Sequence, residues 1–120
     1  NLLWRYDAPN FVDFDDTMMG PAVQDLWMLL SGDRSDRTAQ LSELVTAYED
    51  FFEFDTRDIN LIEPLRALRM MYHAAWIARR WDDPAFPSAF PSFNTTKYWS
   101  EHVLNLREQL AAFDEAPLVI

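Results

Sequence analysis

The stretch that decides the fold runs from Asn1 to Asp25 and reads NLLWRYDAPNFVDFDDTMMGPAVQD. An apolar run, Leu2-Leu3-Trp4, is followed by a polar, turn-like segment from Arg5 to Pro9. A second apolar run, Phe11-Val12-Asp13-Phe14, then leads into a crowd of carboxylates at Asp13, Asp15 and Asp16. Aromatic and β-branched runs flanking a short loop with a proline predict a β-hairpin. A five-residue loop from Arg5 to Pro9 sets Trp4 opposite Asn10, Leu3 opposite Phe11, Leu2 opposite Val12 and Asn1 opposite Asp13.

That register has a chemical consequence. Residues directly opposite in an antiparallel pair share a face, with Cβ atoms roughly 4.5–5.5 Å apart. The Asn1 amide oxygen and the Asp13 carboxylate then converge beyond the open end of the hairpin. Two hard oxygen donors at that spacing suit Mg²⁺, which keeps several waters and is completed by substrate phosphates. Asp15 falls on the same face if the strand continues, and is the candidate third ligand or a group supporting the first two. A plainer reading stands beside it, in which Asp15, Asp16 and Thr17 are turn and helix-cap residues. The register depends on loop length, since one residue more or less spoils the pairing.

The residues from Asn1 onward resemble the second half of the catalytic core of the aminoglycoside phosphotransferase-like kinases. The resemblance is carried by Asn1-Leu2-Leu3-Trp4, Val12-Asp13-Phe14-Asp15-Asp16, Gly20-Pro21 and Asp25-Leu26. It continues through Leu61-Ile62-Glu63-Pro64-Leu65-Arg66 and from Arg79-Arg80-Trp81 to Asp83-Pro84-Ala85-Phe86-Pro87. Within that group the chain is most similar to the bacterial stress response kinase A family, which resembles eukaryotic protein kinases in fold. The resemblance implies that Asn1 and Asp13 hold the Mg²⁺ of a bound nucleotide. It implies that Asp13 is the catalytic metal-binding Asp, and that Asp25 braces the catalytic loop, a structural role. The family's catalytic base, an Asp five residues before Asn1, its phosphate-covering loop and its phosphate-pairing Lys are expected outside these residues.

Composition bounds the rest. The chain has 120 residues, one domain's worth, and about 65% of its unfolded surface can be buried at that length. An apolar share of 49%, with nine Phe and five Trp, excludes disorder. The net charge of −10 argues against a nucleic-acid surface, though not against a nucleotide bound through Mg²⁺. No apolar run approaches the roughly 20 residues of a membrane span, and no targeting segment is visible. There is no cysteine, so a cytoplasmic setting is expected. The start at Asn1, directly in a strand, reads as a cut. Only Gly20 and Gly32 are present, so no glycine-rich phosphate loop exists here.

After the hairpin the pattern is helical. Pro21 suits the first turn of a helix over about Ala22 to Ser31, apolar at Val23, Leu26, Trp27, Leu29 and Leu30, with Asp25 among them. Ser35 or Asp36 is expected to cap a second helix with a stripe at Leu41, Leu44, Val45, Tyr48, Phe51 and Phe52. Asp55-Thr56 is expected to cap a third, about Arg57 to Trp81, bent near Pro64 and buried on most sides. Arg66, Arg69, His73 and Arg80 share one stripe of it, read as ion pairs or, alternatively, as a basic lining for an anionic partner. The segment Asp82 to Phe93, with three prolines in eight positions, is expected to be an extended loop pinned by its phenylalanines. Asn94 or Thr95 caps the last helix, whose Trp99, Val103, Leu106, Leu110 and Phe113 predict an apolar seam. His73 and His102 are assigned no chemistry.

The expected fold is therefore mainly α: the C-terminal helical lobe of a protein kinase-like (α+β) fold, with a small N-terminal β-hairpin. Residues 1–16 form the metal-binding hairpin and 21–120 the helical subdomain. The implied parent activity is ATP- and Mg²⁺-dependent phosphoryl transfer to Ser or Thr of a protein substrate, by a monomer with no nucleic-acid or membrane partner. Two alternatives stay open. One is a small-molecule phosphotransferase acting on an aminoglycoside, choline or homoserine-like alcohol. The other is a non-catalytic helical interaction module.

Overall fold

A computed structural model describes all 120 residues, Asn1–Ile120. The chain begins with an antiparallel hairpin of β1 (Leu2–Arg5) and β2 (Ala8–Phe11). Its register pairs Leu2 with Phe11, Leu3 with Asn10, Trp4 with Pro9 and Arg5 with Ala8. The connection is a two-residue turn at Tyr6 and Asp7, both with positive φ (55° and 58°). Such left-handed turns match the twist of the flanking strands. The five-residue loop expected from sequence is thus three residues too long, and the whole pairing shifts by one. Asn1 faces Val12, whose N–H donates to the Asn1 carbonyl at 3.0 Å, and not Asp13.

Helices build the remainder, as expected: α1 (Val23–Leu26), α2 (Arg34–Glu49), α3 (Ile62–Arg79), α4 (Ala85–Ala89) and α5 (Thr96–Ala112). The first is only one turn long and tightens into a 3₁₀ turn over Trp27–Leu29. Asp33, rather than Ser35 or Asp36, caps α2. Its carboxylate accepts from the Asp36 N–H at 3.0 Å while the Asp36 carboxylate accepts from the Asp33 N–H at 3.2 Å. This reciprocal box satisfies two N–H groups that a helix start leaves unpaired. Asp55 caps a 3₁₀ segment, Thr56–Leu61, and α3 starts directly after it. The bend therefore lies at Leu61–Ile62, and Pro64 sits in the first turn of α3, where its missing N–H costs nothing.

Two apolar clusters hold these elements. One gathers Val23, Trp27, Leu41, Val45, Phe54, Ile59 and Ile62, with Leu118 of the tail packed on it. The other gathers Ala74, Ile77 and Phe93, edged by Trp76, Trp81, Phe86, Phe90 and Tyr98. Fully burying a side chain such as Leu41 or Ile77 stabilises by about 1.5–3 kcal/mol. The tail docks: the Arg34 guanidinium donates to the carbonyls of Ala116 (2.8 Å) and Pro117 (2.6 Å).

Four helical expectations need correction. Phe51 and Phe52 lie beyond the end of α2 and are exposed, and Phe54 takes the buried place instead. Only one side of α3 is buried here, with Leu68, Met71 and Tyr72 exposed. The proline-rich segment contains a short helix, α4, with Pro87 in its first turn; its phenylalanines do pin it, Phe86 to Trp76 at 4.9 Å and Phe93 to Trp81 at 5.1 Å. Finally, α5 is rotated relative to the expected seam. Trp99, Val103, Leu110 and Phe113 are exposed, while Gln109 is buried and donates to the Glu63 carboxylate at 2.7 Å.

Candidate functional site

At the open end of the hairpin lie the residues expected to hold a metal. Asn1 is tied to β2 by the Val12 N–H, one residue before Asp13. Strand alternation alone would send Asp13 to the face opposite Asn1. However, β2 stops at Phe11, and Asp13 adopts φ 67°, a left-handed conformation that Asp tolerates better than most residues. That backbone turn breaks the alternation at the carboxylate in question. The opposed-pair geometry inferred from sequence is therefore incorrect, although both residues remain at the same end of the hairpin.

The same break removes the argument that placed Asp15 on a continuing strand. Asp15 and Asp16 form a turn closed by the Thr17 N–H donating to the Phe14 carbonyl at 3.1 Å, as the plainer reading anticipated. Asn1, Asp13, Asp15 and Asp16 are all exposed, and none of the carboxylates is in an ion pair. No three acidic or histidine side chains converge on one point. An amide oxygen and a carboxylate with free lone pairs are nevertheless the hard donors a Mg²⁺–phosphate complex uses, so the donor set fits that ion. A cleft of about 160 Å³, lined by Arg34, Asn60, Glu63, Phe113 and Pro117, belongs to the tail and not to this hairpin.

Asp25 was expected among apolar neighbours, but it is exposed on the outer side of α1, opposite the buried Val23 and Trp27. A one-turn helix running into a 3₁₀ turn buries only part of its circumference, which is why the apolar context in sequence did not translate into burial. Sequence reasoning also missed the left-handed backbone at Asp13. The only hint available was residue type, since Asp and Asn are enriched at positive φ.

Among the helical residues, Arg66 stacks its guanidinium 5.4 Å from the Trp27 ring centre and lies 3.8 Å from the Glu63 carboxylate. Ion pairing thus explains one member of the expected stripe. Arg80 lies over Trp76 instead, at 5.1 Å, and His73 stacks on the same indole at 6.0 Å. The one strongly perturbed carboxylate, Asp55, is held down to about 2 because it accepts hydrogen bonds from the side chain and the N–H of Arg57. This is a cap at the surface, remote in sequence from the hairpin.

Comparison with known proteins gives this geometry a context. A model of the phosphotransferase enzyme family matches residues 1–62, just over half of the chain and including the whole hairpin. The chain belongs to that family. Its relatives include Stress response kinase A of Escherichia coli strain K12, 53% identical over 118 residues, and Stress response kinase A of Shigella flexneri, 52% identical over 118. Another is Serine/threonine protein kinase RdoA of Salmonella typhimurium strain LT2, also 52% identical over 118. Each match covers 98% of this chain and 36% of the relative, so this phosphotransferase-family chain spans about a third of the length of its curated relatives. No helix is long and apolar enough to cross a membrane.

Proposed function

We propose that the full-length protein transfers the γ-phosphoryl group of ATP to Ser or Thr hydroxyls of proteins, in a stress response, with Mg²⁺ held by Asn1 and Asp13. The observation that carries this reading is the left-handed backbone at Asp13, one residue after the Val12 N–H bonded to Asn1. Conformations of this kind cost of order 1–3 kcal/mol for non-glycine residues and cluster at functional sites. A Mg²⁺ held by Asn1 and Asp13 would supply positive charge to offset the negative charge of the nucleotide phosphates during transfer. Asn1 and Asp13 would supply its protein oxygens, with Asp15 as the candidate third ligand or a group supporting those two. The proton-accepting carboxylate, the phosphate cradle and the Lys belong to the remainder of the protein. Asp25 acts as a positioning residue that braces a loop of that remainder, in keeping with its exposure here.

Family membership supports phosphoryl transfer and disfavours a purely structural module. Protein acceptors are favoured over small alcohols because identity to the named protein kinases runs through 118 residues, well past the 62 matched by the broader family. The surroundings proposed are cytoplasmic, with the protein acting as a monomer on ATP and a protein substrate. Nucleic acid is disfavoured by the −10 charge. Incubating the full-length protein with γ-labelled ATP, Mg²⁺ and either mixed protein acceptors or aminoglycoside, choline and homoserine tests the reading. Label on protein Ser or Thr is expected. Label on the small alcohols alone would transfer the assignment to the small-molecule class.

A further inference from the structure

We infer that the outer stripe of α3 formed by Arg69, His73 and Arg80, braced on Trp76, is a docking surface for an acidic segment of a partner protein. Steps of four, three and four keep these four residues on one side of the helix. Trp76 holds two of the three polar heads: the Arg80 guanidinium lies 5.1 Å from its ring centre and the His73 imidazole is stacked at 6.0 Å with planes 23° apart. Phe90 closes against His73 edge-on at 6.0 Å, and Phe86 against Trp76 at 4.9 Å. Arg80 and His73 are therefore held in place, and both remain exposed, as does Arg69.

None of the three meets a carboxylate. The chain's ion pairs involve Arg57, Arg66 and Lys97 only, although 20 acidic residues stand against 10 Lys and Arg. Leaving Arg69 and the Trp76-braced Arg80 unpaired in so acidic a chain points to an anion from elsewhere. The dipole at the C-terminal end of α3 accounts for arginines in its last turn, but not for Arg69 three turns earlier. From Arg69 to Arg80 the stripe is about 16 Å long at 1.5 Å per residue. An extended segment of about five residues spans that distance. Exposed Leu68 and Tyr72 flank it, so the fitting occupant alternates acidic with apolar or aromatic residues.

A short acidic segment is favoured over a nucleic acid by the range of the forces. A polyanion running past the stripe is repelled by the rest of a −10 chain, whereas a few carboxylates feel mainly the local cations within a screening length of about 8–10 Å.

The test is fluorescence anisotropy of the full-length protein with a labelled heptapeptide alternating glutamate and tyrosine, beside its glutamine counterpart and an oligothymidylate. The glutamate peptide is expected to bind at least tenfold more tightly than either control, and more weakly as salt rises. R69E combined with R80E should raise its Kd at least tenfold, and the milder R69Q should raise it by a smaller factor, which keeps the test decisive if the double variant folds poorly. R79E reverses a single charge on a different side of the helix and should alter Kd less than twofold. Equal binding of the two peptides, an R79E loss matching that of R69E/R80E, or tighter binding of oligothymidylate would each overturn the proposal.

Discussion

The hairpin and the helical body use their polar residues in opposite ways. In the body, outside the exposed stripe of Arg69, His73 and Arg80, polar groups have local work: Asp33 and Asp55 cap helices, Gln109 joins α5 to Glu63 of α3, and Arg34 ties down the tail. The first 20 residues are all exposed, and no apolar group there joins either core. All three non-glycine residues with positive φ, Tyr6, Asp7 and Asp13, also fall in this region. Carboxylates that neither pair nor pack, next to a backbone held in an uncommon conformation, agree with the ligand-binding role proposed for this end. The contrast predicts that substitutions in the buried body change stability, while those at the hairpin's open end change binding.

The largest stability effect should come from the body. Leu41 is fully buried in the main cluster, so Leu41→Ala should cost about 2–5 kcal/mol through lost transfer energy and the cavity left behind. Thermal denaturation of the full-length protein measures it, and a loss below about 1 kcal/mol would mean that this cluster is not the organising core. Next comes Asp25, which blurs the division, being an exposed body residue proposed to brace the remainder of the protein. If it does, Asp25→Ala leaves donors unsatisfied at about 1–3 kcal/mol, and melting temperature and activity fall together. An unchanged melting temperature would mean that Asp25 braces nothing.

The smallest effect concerns Asp55, whose carboxyl is held at about 2, below its ordinary 3.8, by hydrogen bonds from Arg57. A depressed carboxyl contributes stability that is fully present above the unfolded value and is lost as pH falls through the folded one. Asp55→Asn keeps a capping oxygen and removes the charge. The small stability difference from wild type should thus be constant above about pH 4 and vanish towards pH 2. A difference that grows on acidification would contradict the pairing.

Much of this was legible from sequence, and the failures have physical causes. The hairpin and the helices followed from apolar periodicity and proline placement, and Thr95 and Asp55 cap where expected. The hairpin register did not follow, because Tyr6-Asp7 lacks the Asn-Gly or Asp-Gly signature of a two-residue turn. The seam of α5 failed because apolar spacing takes no account of a buried Gln109–Glu63 hydrogen bond, which turns the helix inward on a polar residue. The candidate site rests on motif resemblance and donor chemistry, while the strand pairing expected to bring its residues together differs by one residue from that in the structure. The geometry that replaces it, a left-handed Asp13, follows from no pattern of apolar residues.

The central claim is that Asp13 serves a metal-bound nucleotide and not the fold. Calorimetric titration of the full-length protein and its Asp13→Asn variant with ATP, in the presence and absence of Mg²⁺, tests it most directly. The account predicts Mg²⁺-dependent ATP binding in the wild type and its loss, by about tenfold or more, in the variant. The melting temperature should stay within the roughly 0.5 kcal/mol equivalent expected of an exposed substitution. Unchanged Mg²⁺-dependent affinity in a folded variant would contradict it.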